Sequence, residues 1–211
     1  NDDFLSEESK TNPQTPYSVN KLQVEEGLSS IADENFSPIA LRFGTVYGIS
    51  PRIRFDVVIN MLCGLALTTN KVILNSNGKA WRPHLHIEDA CQSFQRCLDW
   101  NPNKGELIIL NVGQNEDNYQ VIDIAKIIHT NVGSSELNYL DGMKDFDGND
   151  LVKDKKIQDG VDTRSYKVSF DKVQETLPGF KCKWTVDSGI KNLLDELKKI
   201  DVSKDTLNQR D

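Results

Sequence analysis

Tyr17 and Lys21 stand four apart in the stretch TPYSVNK, residues 15–21. On a helix that spacing puts them one turn apart on a common face. A phenol titrates near 10, about three units above neutral pH, and is a poor base there. An ammonium beside it stabilises the phenolate and makes it a better one. Such a tyrosine can take the proton of a substrate hydroxyl while a hydride leaves the same carbon. The lysine can also donate to a cofactor ribose. A lone Tyr-x-x-x-Lys arises by chance in many chains, so the rival reading is a capped helix start with a solvated aromatic and a charge. His84 and His86 share one face of a strand, with Glu88 and Asp89 close behind. Their spacing is poor for metal ligands, and no metal is expected. The four cysteines, Cys63, Cys91, Cys97 and Cys182, form no CxxC pair. Three lie in apolar, helix-like contexts where a free thiol behaves as a small hydrophobe. They read as reduced thiols of a cytoplasmic protein.

The elements around these residues alternate. Thr15 is a good N-cap and Pro16 suits a first helical position, so a helix is expected from there to about Asp33. Its stripe Tyr17, Lys21, Val24, Leu28 and Ile31 predicts an inward face, where a lysine needs a partner. IALRF, residues 39–43, reads as a buried strand, and GTVYGISPRIR as a loop carrying Arg52 and Arg54. Residues 55–67 read as a buried helix and KVILN as a strand. Asn77-Gly78 is a hairpin signal before the strand RPHLHI. The helix IEDACQSFQRCL is expected to turn Ile87, Cys91, Phe94 and Leu98 inward. The strand ELIILNVG follows, then a helix with Val121, Ile124, Ala125 and Ile128 inward. Residues 141–162 read as a surface loop, TRSYKVSF as a strand, DKVQETLPGF as a short helix, and WTVDSGIKNLLDELKKI as an amphipathic C-terminal helix. The last ten residues are expected to fray. Strands alternating with helices throughout predict an α/β fold.

Acidic residues outnumber basic ones, 32 to 25, for a net charge of −7. That argues against sequence-independent nucleic-acid binding, though a local basic cluster could hold a phosphorylated small molecule. The longest apolar run, residues 55–67, contains Asp56 and Asn60 and is too short to span a bilayer. No signal peptide pattern opens the chain. Asn1 and the residues after it read as a loop entering a helix, so the chain is expected to be part of a longer protein.

TPYSVNK, then LRFGTVYG, then WRPHLHIEDA, with LNVG, NYQVIDIAKII and RSYKVSF following in order, resembles the extended short-chain dehydrogenase/reductase family. These are the NAD-dependent sugar-nucleotide epimerases and dehydratases, and the match in order and spacing covers essentially the whole chain. The resemblance implies that Tyr17 is the catalytic base and acid, with Lys21 its partner and ribose ligand. Phe43 and Gly44 match the positions that pass along the nicotinamide. Thr45 stands where many relatives carry an Asn that touches substrate, and its hydroxyl offers a sugar or phosphate a hydrogen bond instead. Arg82 and Arg164 match two arginines that grip the nucleotide diphosphate, a task suited to a bidentate guanidinium. Asn60 matches a polar helix position that often contacts the phosphates. Each has a plainer rival. Arg82 or Arg164 could pair with Asp89 or another carboxylate, Asn60 could cap a neighbouring backbone group, and Arg52 and Arg54 could be solvated loop charges. Trp81 and Trp184 read as packing residues.

The expected fold is therefore the C-terminal part of a Rossmann-type doubly wound parallel sheet with a smaller α/β substrate-binding domain. Residues 1–48 would finish the NAD-binding domain. Residues 49–211 would mainly bind substrate, with about 81–113 returning to the first domain. No GxGxxG occurs in the 211 residues; the family carries that fingerprint, and a Ser or Thr that polarises the substrate oxygen, before its tyrosine. The implied function is a nucleotide-sugar epimerase working by transient oxidation at a sugar carbon, C4 by preference, with NAD rather than NADP. The alternatives are a 4,6-dehydratase or reductase of the same family, or a non-catalytic binding relative. A homodimer through the Tyr-x-x-x-Lys helix is implied, with no nucleic-acid or membrane partner.

Overall fold

A computed structural model describes residues 4–74, 76–102, 105–133, 136–139 and 164–203. The expected loop at 141–162 lies outside them, as does most of the expected frayed tail. In chain order the elements are β1 (Phe4–Leu5), α1 (Pro16–Ile31), β2 (Ile39–Phe43), β3 (Thr45–Tyr47), α2 (Val58–Thr69), β4 (Lys71–Leu74), β5 (Trp81–His86), α3 (Ile87–Leu98), β6 (Ile108–Val112), β7 (Asn118–Gln120), α4 (Val121–Val132), β8 (Glu136–Tyr139), β9 (Lys167–Val168), α5 (Asp171–Thr176) and α6 (Val186–Lys199).

Helix ends follow local chemistry. Thr15 and Ser18 form a capping box on α1, each hydroxyl accepting from the other's backbone N–H, and Thr185 and Ser188 repeat it on α6. Asn70 and Gly133 close α2 and α4 in the left-handed conformation, φ 57° and 74°. The strands pair across long sequence separations and mostly in parallel. β2 runs beside β6 from Ile39↔Ile108 to Phe43↔Val112, β3 beside β5, β4 beside β8, and β1 beside β9. β7 pairs antiparallel with β5. These apolar runs are strands covered by helices, as parallel sheets require.

Two cores result. One gathers β4, α2, α4 and α6 around Ile59, Leu62, Ile124, Ile128, Ile190 and Leu193. The other packs β2 and β6 against α5 and its flanks through Leu110, Val112, Phe170, Val173 and Leu177. Tyr47 lies at the edge of the first core, fully buried, with its hydroxyl donating to the Thr185 carbonyl at 3.3 Å.

Four local expectations are corrected. Thr45–Tyr47 is a strand, not loop, because β5 offers it a ladder. Asn77-Gly78 makes a turn but no hairpin: β4 pairs with β8, and the turn docks on α4 through Ile122 N–H to Gly78 C=O. On α3, Cys91 is exposed, Phe94 is 54% exposed and Leu98 87% exposed. That helix buries Asp89, Ala90 and Ser93 instead, since the Asp89 carboxylate accepts from the backbone N–H groups of Lys183 and Trp184. The inward face of α1 is also misassigned, as described next.

Candidate active site

No residue of α1 is fully buried. Its half-buried residues are Ser18, Leu22, Glu25 and Leu28, whereas Tyr17 is 71% exposed, Val24 57% and Ile31 61%. The packed stripe is thus rotated by about a quarter turn from the expected one. Glu25 lies on the packed side between Leu22 and Leu28. Its carboxylate takes two guanidinium bonds from Arg42 of β2, at 2.8 and 2.5 Å. That hydrogen bond leads the causes that raise the Arg42 pKa. A charged pair joins Leu22 and Leu28 on the face of α1 turned toward β2.

The same pair sets the height of the helix along the strand. The chain reverses at Asp33–Phe36, whose backbones exchange two hydrogen bonds of 3.0 Å, so α1 and β2 run in opposite directions. From the pin, eight helical residues lead back to Tyr17, about 12 Å, and three strand residues lead on to Thr45, about 10 Å. Lys21 lies beside its tyrosine, Nζ 5.5 Å from the ring centroid, and meets no carboxylate among the described residues.

Phe43, Gly44 and Thr45 form the bend from β2 to β3. The Phe43 ring packs edge-on to Phe94 at 5.4 Å. Gly44 runs against β5 so closely that a Cβ there would stand 3.0 Å from the Pro83 carbonyl oxygen. Thr45 pairs with His84. His84 is wholly buried, and neither ring nitrogen meets a hydrogen-bond partner among the described residues. Burial, with a lesser push from the Arg82 charge, lowers its pKa to about 3.

Arg82 and Arg164, 82 residues apart, come together: Arg82 Nη1 donates to the Arg164 carbonyl and, at 2.8 Å, to that of Trp81. Asp89, a rival partner for them, is committed to Lys183 and Trp184. Asn60 is buried in α2. Its Oδ1 accepts from Gly48 N–H and its Nδ2 donates to the Arg54 carbonyl, both at 3.0 Å. It thereby pins the loop between β3 and α2. On that loop Arg54 holds Asp56 through two bonds of 3.0 and 2.5 Å. The hydrogen bond from Asp56 leads the causes that raise the Arg54 pKa. Sequence reasoning missed Tyr166, whose ring lies 5.4 Å from the Arg82 guanidinium. Its only sequence signal is its place in the RSYKVSF strand. It also missed Asp117, a buried carboxyl near Tyr47 raised to about 6, first by burial. Among the described residues no three His, Cys, Asp or Glu side chains gather to hold a metal.

A family model described as "NAD dependent epimerase/dehydratase family" matches residues 2–113, more than half of the chain. Solved structures share the fold. MoeE5 in complex with UDP-glucuronic acid and NAD superposes with a TM-score of 0.72 at 23% identity, over 95% of this chain and 61% of that one. The UDP-glucose 4-epimerase of Thermotoga maritima, with UDP-glucose, gives 0.73 at 21%, over 93% and 57%. The dTDP-glucose 4,6-dehydratase of Bacillus anthracis, in complex with NAD, gives 0.69 at 19%, over 93% and 56%. The chain thus spans about three fifths of the length of the structures it matches. Its α/β architecture is of the Rossmann type that these proteins share.

Proposed function

The chain belongs to the NAD-dependent epimerase/dehydratase family, and on that premise we propose that it carries the proton-transfer and sugar-nucleotide side of an NAD-dependent nucleotide-sugar epimerase. The observation that carries the reading is the Tyr17–Lys21 pair, adjacent and open to solvent in the first turns of α1. Tyr17 Oη takes the proton of a sugar hydroxyl, at C4 by preference, as that carbon becomes a ketone. NAD, when bound, supplies the hydride acceptor. Tyr17 then returns the proton as hydride comes back to the other face of the ketone. Lys21 stays charged beside the phenol and donates to a cofactor ribose; meeting no carboxylate among the described residues suits both tasks. Phe43 and Gly44 border the nicotinamide and Thr45 faces the sugar. Arg82 and Arg164 take the diphosphate, and Asn60 acts at one remove, by holding the Arg54 loop.

We assign residues 1–48 and about 81–113 to the cofactor domain, and most of 49–211 to the substrate domain. A homodimer contact is assigned to α1. The test of function is incubation of the full-length protein with NAD and a panel of nucleotide sugars, with products read by NMR. A C4 epimer supports the reading. A 4-keto-6-deoxy sugar would make it a dehydratase, and absence of any product with a Tyr17-dependent bound ligand would make it a binding protein.

A further inference from the structure

Residues 4–9, ahead of the tyrosine helix, are fastened to segments far along the chain. Phe4 and Leu5 pair in parallel with Lys167 and Val168, and Ser169 N–H donates to the Leu5 carbonyl at 2.9 Å. The Glu7 carboxylate accepts from the backbone N–H of Asn111 in β6 at 2.6 Å. Glu8 meets the Lys172 ammonium at 3.5 Å. Lys167 Nζ faces two rings, 5.6 Å from the centroid of Phe4 and 4.4 Å from that of Trp81. Trp81 is itself tied to the 164–168 segment, its N–H donating to Ser165 Oγ at 3.1 Å and its carbonyl accepting from Tyr166 N–H at 3.3 Å. Residues 6–9 close on themselves, through Ser9 N–H to the Ser6 carbonyl at 3.1 Å and Ser6 N–H to Ser9 Oγ at 2.9 Å, so they move as one piece.

Most of these fastenings are weak. Phe4 is 46% exposed and Leu5 43%, so a ladder of two residues has little buried apolar area to hold it. The Glu8–Lys172 pair is exposed at both ends and contributes little. Neither Phe4 nor Leu5 belongs to either core. A segment held by exposed bonds and few apolar contacts opens at the low end of the stability range, without unfolding the rest. The bond from Asn111 to Glu7 is the strong one, short and to a charged acceptor. By its pairing and by the chain, the segment joins the stretch that carries Arg164, next to Arg82, to the helix that carries Tyr17.

We propose that residues 4–9 are a strap that opens and recloses over the nucleotide-sugar side of the site, with Glu7 as its latch, and that this ligand enters and leaves while the strap is undone. The proposal rests on the diphosphate role given to Arg82 and Arg164 above. A gate that is closed most of the time slows entry and exit by the same factor, because both scale with the open fraction, and it leaves the affinity alone. A residue that touches the ligand instead changes mainly the dissociation rate.

The experiment uses the full-length protein and stopped-flow binding of whichever of UDP, dTDP, GDP, CDP or ADP the wild type binds most tightly, with NAD in parallel. Wild type, Glu7→Ala and Phe4→Ala are compared. A hydrogen bond to a charged group corresponds to roughly 10- to 100-fold in the open population, and a cation–π contact to roughly 2- to 30-fold. Glu7→Ala should raise the association and dissociation rates of the nucleoside diphosphate together by the first factor and Phe4→Ala by the second, with the Kd and the exchange of NAD unchanged. Phe4→Ala removes an exposed ring and leaves the bond from Glu7 to β6 intact, so it reads the strap even where Glu7→Ala folds poorly. Amide hydrogen exchange at Ser169 should quicken in Glu7→Ala while Leu110, in the second core, keeps its protection. Unchanged rates in both variants, a rise in dissociation alone, or an equal acceleration of NAD exchange would overturn the strap and leave the diphosphate reading standing. A wild type that binds none of the five nucleotides would overturn that reading, and the gate with it.

Discussion

Glu25 of α1 and Arg42 of β2 form a two-pronged ion pair whose side chains are only 15% and 27% exposed, and this pair fixes how the tyrosine helix lies against the sheet. Removing one partner leaves the other half-buried and uncompensated, which costs more than removing both. Glu25→Ala and Arg42→Ala should each lower stability by about 1–3 kcal/mol, with the double variant less destabilised than their sum. Chemical denaturation over the full cycle measures this. Strict additivity would mean that the pair does not hold α1.

Tyr17 is the residue on which turnover depends in the proposed reaction. Tyr17→Phe keeps the ring that packs beside Lys21 and removes only the hydroxyl. Turnover should fall by about 10²–10⁴-fold, the usual worth of a positioned acid–base group, while NAD affinity stays within a few-fold of wild type. Single-turnover kinetics and NAD titration check the two halves separately. Normal turnover in this variant would remove the catalytic assignment.

Gly189 is where α6 crosses Tyr47. A Cβ at that position would run into the Tyr47 hydroxyl and ring, which are buried and cannot step aside. Gly189→Ala should therefore destabilise by about 1–3 kcal/mol despite the better helix propensity of alanine. A Tm equal to or above that of wild type would show that α6 has room to shift.

His84 makes stability depend on acid. Its folded pKa, about 3, lies below the ordinary 6.5 because burial disfavours the imidazolium. The unfolded chain therefore binds the proton first, and stability present above pH 6.5 is lost as the pH falls toward 3. Asp117 works in the opposite direction: raised to about 6, it adds stability in acid that disappears as the pH rises through that value. Comparison of wild type with His84→Phe isolates the histidine. Between pH 7 and 4 the wild type should lose on the order of 3 kcal/mol more than the variant, read by urea unfolding at each pH. Parallel pH curves for the two proteins would contradict the buried neutral state.

The helices and the longer strands were readable in the sequence where their causes are local, whereas short strands such as β3 and β7 were not. Thr15 and Ser18 cap α1 within one turn, the runs IALRF and LIILNV are mostly apolar strands, and Ile124, Ala125 and Ile128 repeat at helical spacing. The ordered motifs also named the tyrosine, its lysine and the two arginines. What faces what depended on partners far along the chain. Periodicity assumes that a helix buries its apolar stripe. On α1 and α3 the side turned inward instead carries a carboxylate, because Arg42 meets Glu25 from 17 residues away, and the 183–184 backbone meets Asp89 from more than 90. A half-buried carboxylate needs such a hydrogen-bonded partner, and no short window of sequence contains both ends of the bond. The Tyr166 ring under Arg82 is likewise a product of the fold, since β5 and the 164–168 segment meet only after the chain has returned to the same sheet edge.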